Sequence, residues 1–191
     1  MLHTSLSRLT TSFPSAPSDI PAEDMQDLIE AHLPPWPRAA QLCDLYLEQA
    51  PWFFGAVTRR QLLEEILPLF YSEAEAAQGT CGALSSSAAA FSLHRQGAGG
   101  TGGSSHDLAL LFVIFCFGAL TDVDLPPAPH NSEAERYFQL TRAALNLEPV
   151  LERPPSVVTV QTLSLMAIYQ VRATAMCSRS VVAHEKSHRV L

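Results

Sequence analysis

Residues 108–120 constrain this chain most. They read LALLFVIFCFGAL, thirteen apolar residues without a charge, in a stretch bounded by Asp107 and Asp122. A bilayer crossing needs about 20 such residues, so the run is too short to span. A helix apolar on every side belongs inside a protein, so other helices must surround this one. The chain has 191 residues, room for one domain, and 47% of them are hydrophobic, enough to supply that surround.

The flanking sequence supplies the partners in order. Ser18 or Asp19 can cap a first helix with Pro21 in its first turn and Leu28, Ile29 and Leu33 on its apolar face. Pro34 and Pro35 end it. A second helix is expected over about 36–50, where Trp36, Ala39, Ala40, Cys43, Tyr46, Leu47 and Ala50 recur at three and four. Pro51 stops it, and Trp52, Phe53 and Phe54 read as a buried aromatic corner rather than a partner-binding patch. Thr58 with Gln61 forms the pattern of a capping box before a third helix whose inner face is Leu62, Leu63, Ile66, Leu67 and Phe70, with Pro68 expected to kink its end.

After the central run, expected as a helix from about Ser105 to Thr121, prolines 126, 127 and 129 turn the chain. Ser132 and Glu135 suggest a second capping box, opening a fifth helix to about Leu147 with Ala134, Tyr137, Phe138, Ala144 and Leu145 inward. Ser156 then caps a sixth, carrying Val157, Val160, Leu163, Leu165, Met166, Ile168 and Tyr169. No segment sustains a period of two, so the expected fold is all-α, about six helices. The divisions are a disordered leader over 1–18, a first helical block over 19–71, a flexible Ser/Ala/Gly-rich insertion over 72–105, a central helical block over 106–171 and a divergent tail over 172–191. GAGGTGG in the insertion lacks the G-K-[ST] ending of a phosphate loop and follows no apolar strand, so it reads as linker.

Charge and cysteine usage narrow the function classes. Net charge is -7, from 12 basic and 19 acidic residues, so no basic excess is present to neutralise phosphates. Cys43, Cys81, Cys116 and Cys177 form no C-x-x-C pair, which argues against a structural zinc or redox motif. Cys43 and Cys116 fall in apolar helical patterns and read as small core residues in a reducing compartment.

One catalytic pattern stands in the chain. His184, Glu185 and His188 match H-E-x-x-H, which on a helix offers zinc two imidazoles one turn apart and a glutamate as general base. Such sites need a third ligand, and only Arg189, Val190 and Leu191 follow. His94, His106 and His130 sit in expected loops and turns, without partners at ligand spacing, and read as solvated. Asp122 and Asp124 read as a helix end and a turn rather than as paired acids. Glu64–Glu65 and Glu73–Glu75 read as a solvated face. No residue is assigned as catalytic, cofactor-binding or metal-ligating.

The order of the pieces resembles a family. LPPWPRAAQLCDLYLEQAPWFFGAVTRRQLLEEILPLFY, then LALLFVIFCFGALTDVDLPPAPHNSEAERYFQLTRAAL, then PSVVTVQTLSLMAIY resemble the fungal-specific transcription factor domain, the middle homology region downstream of the binuclear zinc cluster in fungal regulators. The likeness covers roughly residues 30–170. It implies a non-enzymatic regulatory domain, acting in transcription through protein partners or its own DNA-binding module, in the nucleus, with no direct nucleic-acid contact, no membrane association and dimerisation as an open option. Zinc is implied only for the family's six-cysteine N-terminal segment, which this sequence does not contain. The resemblance also implies a truncated domain, whose later helices would cover the apolar face of residues 156–169, and poor solubility for the isolated chain. Two other readings are a stand-alone helical interaction protein without a DNA-binding module and a zinc hydrolase through His184, Glu185 and His188.

Overall fold

The computed structural model describes residues 22–49, 55–71, 103–148 and 154–171, with Phe13 and Val150 as isolated positions. Helix accounts for 74% of the described part, in six helices and without strands. In chain order they are α1 (Ala22–Glu30), α2 (Trp36–Gln49), α3 (59–70), α4 (Ser105–Thr121), α5 (Ser132–Leu147) and α6 (157–171). The all-α expectation holds.

The apolar run is α4, and thirteen of its seventeen residues are buried. Leu108, Leu110, Leu111, Phe112, Ile114 and Phe115 are among the largest fully buried side chains, each worth roughly 1.5–3 kcal/mol. α5 returns antiparallel beside it. Phe112, Phe115 and Tyr137 form one aromatic cluster across that pair, with ring centroids 5.6 to 6.4 Å apart. α2 packs on a second side of α4 and comes close enough that Gly118 faces the backbone of Leu42; a Cβ at 118 would stand 2.9 Å from Leu42 Cα and closer to its carbonyl oxygen. α1 lies against α5. α6 is pinned to α5 by Phe138 stacked on Tyr169 at 4.4 Å and by the Tyr169 hydroxyl donating to Glu135 (2.8 Å). Trp36 and Tyr71 meet at 5.3 Å, and the Tyr71 hydroxyl donates to the Pro34 carbonyl (2.7 Å), joining the end of α3 to the start of α2.

Local chemistry differs from the sequence reading at several helix ends. The cap of α5 is Asn131, whose Oδ1 accepts from the Ala134 N–H (2.9 Å), and not the Ser132–Glu135 box: Ser132 is already inside the helix and exposed, and Glu135 is engaged by Gln139 and Tyr169. At α3, Thr58 accepts from the Gln61 N–H (3.1 Å), but the Gln61 side chain turns to α6 rather than back to Thr58, so the box is half made. A full box closes α4 instead: Ser104 accepts from the Asp107 N–H and Asp107 accepts from the Ser104 N–H. Gly103 beside it is buried against Phe70, so residues 103–105, grouped above with the insertion, belong to the start of α4. The expected kink at Pro68 appears as a π-helical turn over Gln61–Ile66, in which the Leu67 N–H reaches Leu62, five residues back. Pro68 brings no N–H to the ladder and its ring crowds the carbonyl four residues earlier, which favours a wider turn upstream.

The expected inner faces are mostly observed. Ala39, Cys43, Tyr46, Leu62, Ile66, Leu67, Ala134, Tyr137, Phe138, Ala144, Leu145, Leu165, Met166 and Tyr169 are buried. Leu42, left off the α2 face, is buried too. Leu63 on α3 and Val157 and Val160 on α6 face outward instead. On α6 the inward positions belong to Thr159 and Thr162, which share a helix side with Met166 and Tyr169. Phe13, in the expected leader, packs on the core beneath the Arg142 guanidinium, 5.7 Å from its ring centroid.

Candidate functional site

Polar groups in the described fold gather into two clasps, one at each end of α4. The C-terminal clasp is charged. Arg38 lies in the first turn of α2 and Asp122 is the C-terminal cap of α4, so each charge stands at the helix end that its dipole disfavours. They cancel by meeting: Arg38 Nη1 donates to Asp122 Oδ2 at 2.8 Å. Glu133, in the first turn of α5 where an anion is favoured, takes the other edge of the guanidinium through both oxygens, at 3.1 Å from Nε and 2.8 Å from Nη2. Three helices are thereby joined across sequence separations of 84 and 95 residues.

Hydrogen bonding to Glu133 and then Asp122 raises the Arg38 pKa above its already high ordinary value. The Arg38 hydrogen bond holds the Asp122 carboxyl below its usual value. Asp122 Oδ1 also accepts from the Asp124 N–H (3.0 Å), closing the turn. Beside it, Asn131 caps two helices at once: its amide donates to the Ala119 carbonyl (2.8 Å) at the end of α4 while its carbonyl oxygen caps α5.

The N-terminal clasp holds no carboxylate, guanidinium or ammonium group. His106 Nε2 lies 3.0 Å from the Glu148 carbonyl and Nδ1 lies 2.8 Å from Thr159 Oγ1. A carbonyl can only accept, so in the neutral ring Nε2 carries the proton and Nδ1 accepts from the Thr159 hydroxyl. The Ser156 hydroxyl, 2.8 Å away, completes the chain, and Ser156 Oγ also caps α6 through the Thr159 N–H (3.1 Å). Thr159 is fully buried. This imidazole–hydroxyl pair braces α4, the end of α5 and the start of α6 against one another. A second neutral link ties α6 to α3: Gln61 and Gln161 exchange amide hydrogen bonds (2.8 and 2.9 Å), and Gln161 also donates to the Ala56 carbonyl (2.6 Å).

Among the described residues no three His, Cys, Asp or Glu side chains come together to hold a metal ion. Burial pushes the Cys43 thiol up to about 12 and the Cys116 thiol well above its ordinary value, which suppresses the thiolate a nucleophile needs. Among the described residues no helix is long and apolar enough to cross a membrane. No family model matches the chain, and no curated protein or solved structure matches it.

The sequence candidates fall as follows. Cys43 and Cys116 are buried core residues, as expected. Asp122 and Asp124 end a helix and make a turn, as expected, but Asp122 also carries the ion pair that the sequence reading missed. His106 is corrected: it is half-buried in the first turn of α4 with both ring nitrogens engaged, because α6 folds back over that end. His130 is exposed in the turn before α5. Glu64 and Glu65 are exposed, Glu64 paired with Arg60 at 3.1 Å. Cys81, Cys177, His94, Trp52–Phe54, Glu73–Glu75 and the His184–Glu185–His188 motif lie outside the described residues. The sequence offered only a partial signal for the charged clasp: between Arg8 and Arg59, Arg38 is the single Lys or Arg, placed at a helix start that disfavours a cation, but nothing local names acids 84 and 95 residues away as its partners.

Proposed function

We propose that this chain is a regulatory helical domain of the kind found in fungal zinc-cluster transcription regulators, controlling transcription without touching DNA or catalysing a reaction itself. The observation that carries the reading is the order of the pieces. A helical pair α2–α3 precedes a largely buried α4, which returns through a proline corner into α5 and then α6, and this is the order in which the resembling blocks occur. The net charge of -7 agrees with a segment that leaves DNA contact to another module. Partners are then that module or other proteins, and the place of action is the nucleus. Regulation would act by shifting helix packing, since a ligand or partner moves an equilibrium only through differential affinity for two arrangements.

A fusion experiment tests this. The chain is joined to a heterologous DNA-binding module and reporter transcription is measured in a fungal host. The expected outcome is a several-fold change in output against the module alone, abolished by Arg38→Met, which opens the charged clasp. Output identical to the module alone, with the fusion present at normal abundance, overturns the reading.

A further inference from the structure

We propose that Ser156 is an acyl-acceptor site: a surface hydroxyl, wired through Thr159 to His106 as its base, that takes up an acyl group from an activated ester or thioester. The inference rests on the fold alone and stands apart from the transcriptional reading.

The direction of each proton in this clasp is forced. The Glu148 carbonyl can only accept, so His106 Nε2 donates to it at 3.0 Å and Nδ1 keeps its lone pair. Thr159 Oγ1, 2.8 Å from Nδ1, must then be the donor to it. That uses the one hydroxyl proton of Thr159, so Ser156 is the donor in the 2.8 Å contact between the two hydroxyls. The chain runs one way, from Ser156 through Thr159 to a basic nitrogen, and a backbone carbonyl fixes the ring. A nucleophile, a base and a group that orients the base are the parts that activate a hydroxyl. Here a second hydroxyl stands between nucleophile and base. The other described histidines are placed differently: His32 Nδ1 meets the Leu28 carbonyl, and His130 lies exposed in a turn.

Position supplies the rest. Pro154, Pro155, Ser156 and Val157 are exposed, so an electrophile can reach Ser156 Oγ. Thr159 is fully buried, and the imidazole behind it is half-buried. Ser156 caps α6, which places the Val157 and Val158 N–H groups in the first turn, where a helix has no internal acceptor for them. They are donors for the negative charge that develops on a carbonyl oxygen under attack. In the step, Ser156 Oγ bonds to the carbonyl carbon, and the bond from that carbon to the leaving oxygen or sulfur breaks. The leaving group departs with the electron pair. The Ser156 proton passes to Thr159 as the Thr159 proton passes to Nδ1, and His106 then returns a proton to solvent. Once esterified, Ser156 has no hydroxyl proton, and the base has no relay to a water at the acyl carbon. The acyl group therefore persists, and the site takes up one group per chain rather than turning over.

p-Nitrophenyl acetate added to the full chain at pH 8 tests this, with acetylation followed residue by residue by peptide mass. The expected result is acetylation of Ser156 roughly tenfold or more faster than at any other serine, with the acetyl group retained after the reagent is removed. Thr159→Val cuts the relay, and His106→Gln keeps a donor and an acceptor but no basic nitrogen. Each should slow the reaction roughly tenfold or more, whereas Thr159→Ser, which restores the hydroxyl, should stay within about threefold of the native rate. Far-UV circular dichroism checks that each variant folds, and His106→Gln carries the test where Thr159→Val does not. Acetylation of Ser156 no faster than of the other serines overturns the proposal. So does a folded Thr159→Val or His106→Gln chain that keeps the native rate, which would assign the reactivity to the helix start alone. Loss of the acetyl group by continued turnover overturns it as well.

Discussion

The two clasps of α4 do the same mechanical task with opposite chemistry. At one end, Arg38, Asp122 and Glu133 join three helices through full charges. At the other, His106, Thr159, Ser156 and the Glu148 carbonyl join the same kind of three-way junction through neutral groups. The charged clasp is the more fragile. Removing one of its members strands a partly buried ion, whereas removing a member of the neutral chain leaves groups that still have other partners. Next to the charged clasp, in the last turn of α4, the helices touch backbone to backbone, at Gly118 and Leu42. The charged end is therefore held by close packing as well as by ion pairs.

The largest expected effect lies at that backbone contact. Gly118→Val places a branched side chain against the Leu42 carbonyl, which cannot move without moving α2, and should cost about 3 kcal/mol or more by urea unfolding. A loss under 1 kcal/mol would mean that α2 and α4 are less closely apposed than described, and that the clasps carry more of the fold.

The next effect sharpens the difference between the ends. Arg38→Met should cost about 2 kcal/mol at pH 7, less than a fully buried pair because the guanidinium and Glu133 are about a quarter exposed. The triple variant Arg38→Met, Asp122→Asn, Glu133→Gln should recover part of that loss, since no charge is then left alone. Acid should erase the contribution of Asp122. Its folded pKa lies below the ordinary carboxylate value, so its stabilisation is complete above that ordinary value and is lost as pH falls through the folded one. The stability gap between wild type and Asp122→Asn should be constant from pH 8 to 6 and shrink toward pH 3. A gap that persists in acid would show that packing, not the ion pair, is being measured.

The smallest effect belongs to the neutral end. His106→Phe keeps the ring volume and should cost about 1 kcal/mol. Thr159 keeps Ser156, and the Glu148 carbonyl lies near enough to the surface to find water. A cost equal to that of Arg38→Met would remove the distinction between the clasps.

Much of this was legible along the chain. The uncharged run 108–120, bounded by acids and prolines, determined a buried central helix, because an apolar surface with no polar side has nowhere to be but inside. Spacings of three and four, with Pro51, Pro126, Pro127, Ser156 and Gly-rich segments as punctuation, determined an all-α fold and most inner faces. The thiols of Cys43 and Cys116 were rightly read as core.

What escaped was non-local. Asn131 outcompetes Ser132 as a cap because it also reaches Ala119 across the corner, a contact that exists only once α4 and α5 are antiparallel. His106 reads as a loop residue until α6 covers it. Val157 and Val160 look like core by hydrophobicity, and only the position of α5 shows which side of α6 is inward. Sequence by itself determined which segments are helical and that one of them must be buried, because those are matters of local periodicity and hydropathy. Tertiary structure alone decided which charges meet, which histidine is held and which face of α6 is left bare. Those depend on groups dozens of residues apart being brought within about 3 Å, and no local pattern encodes that distance.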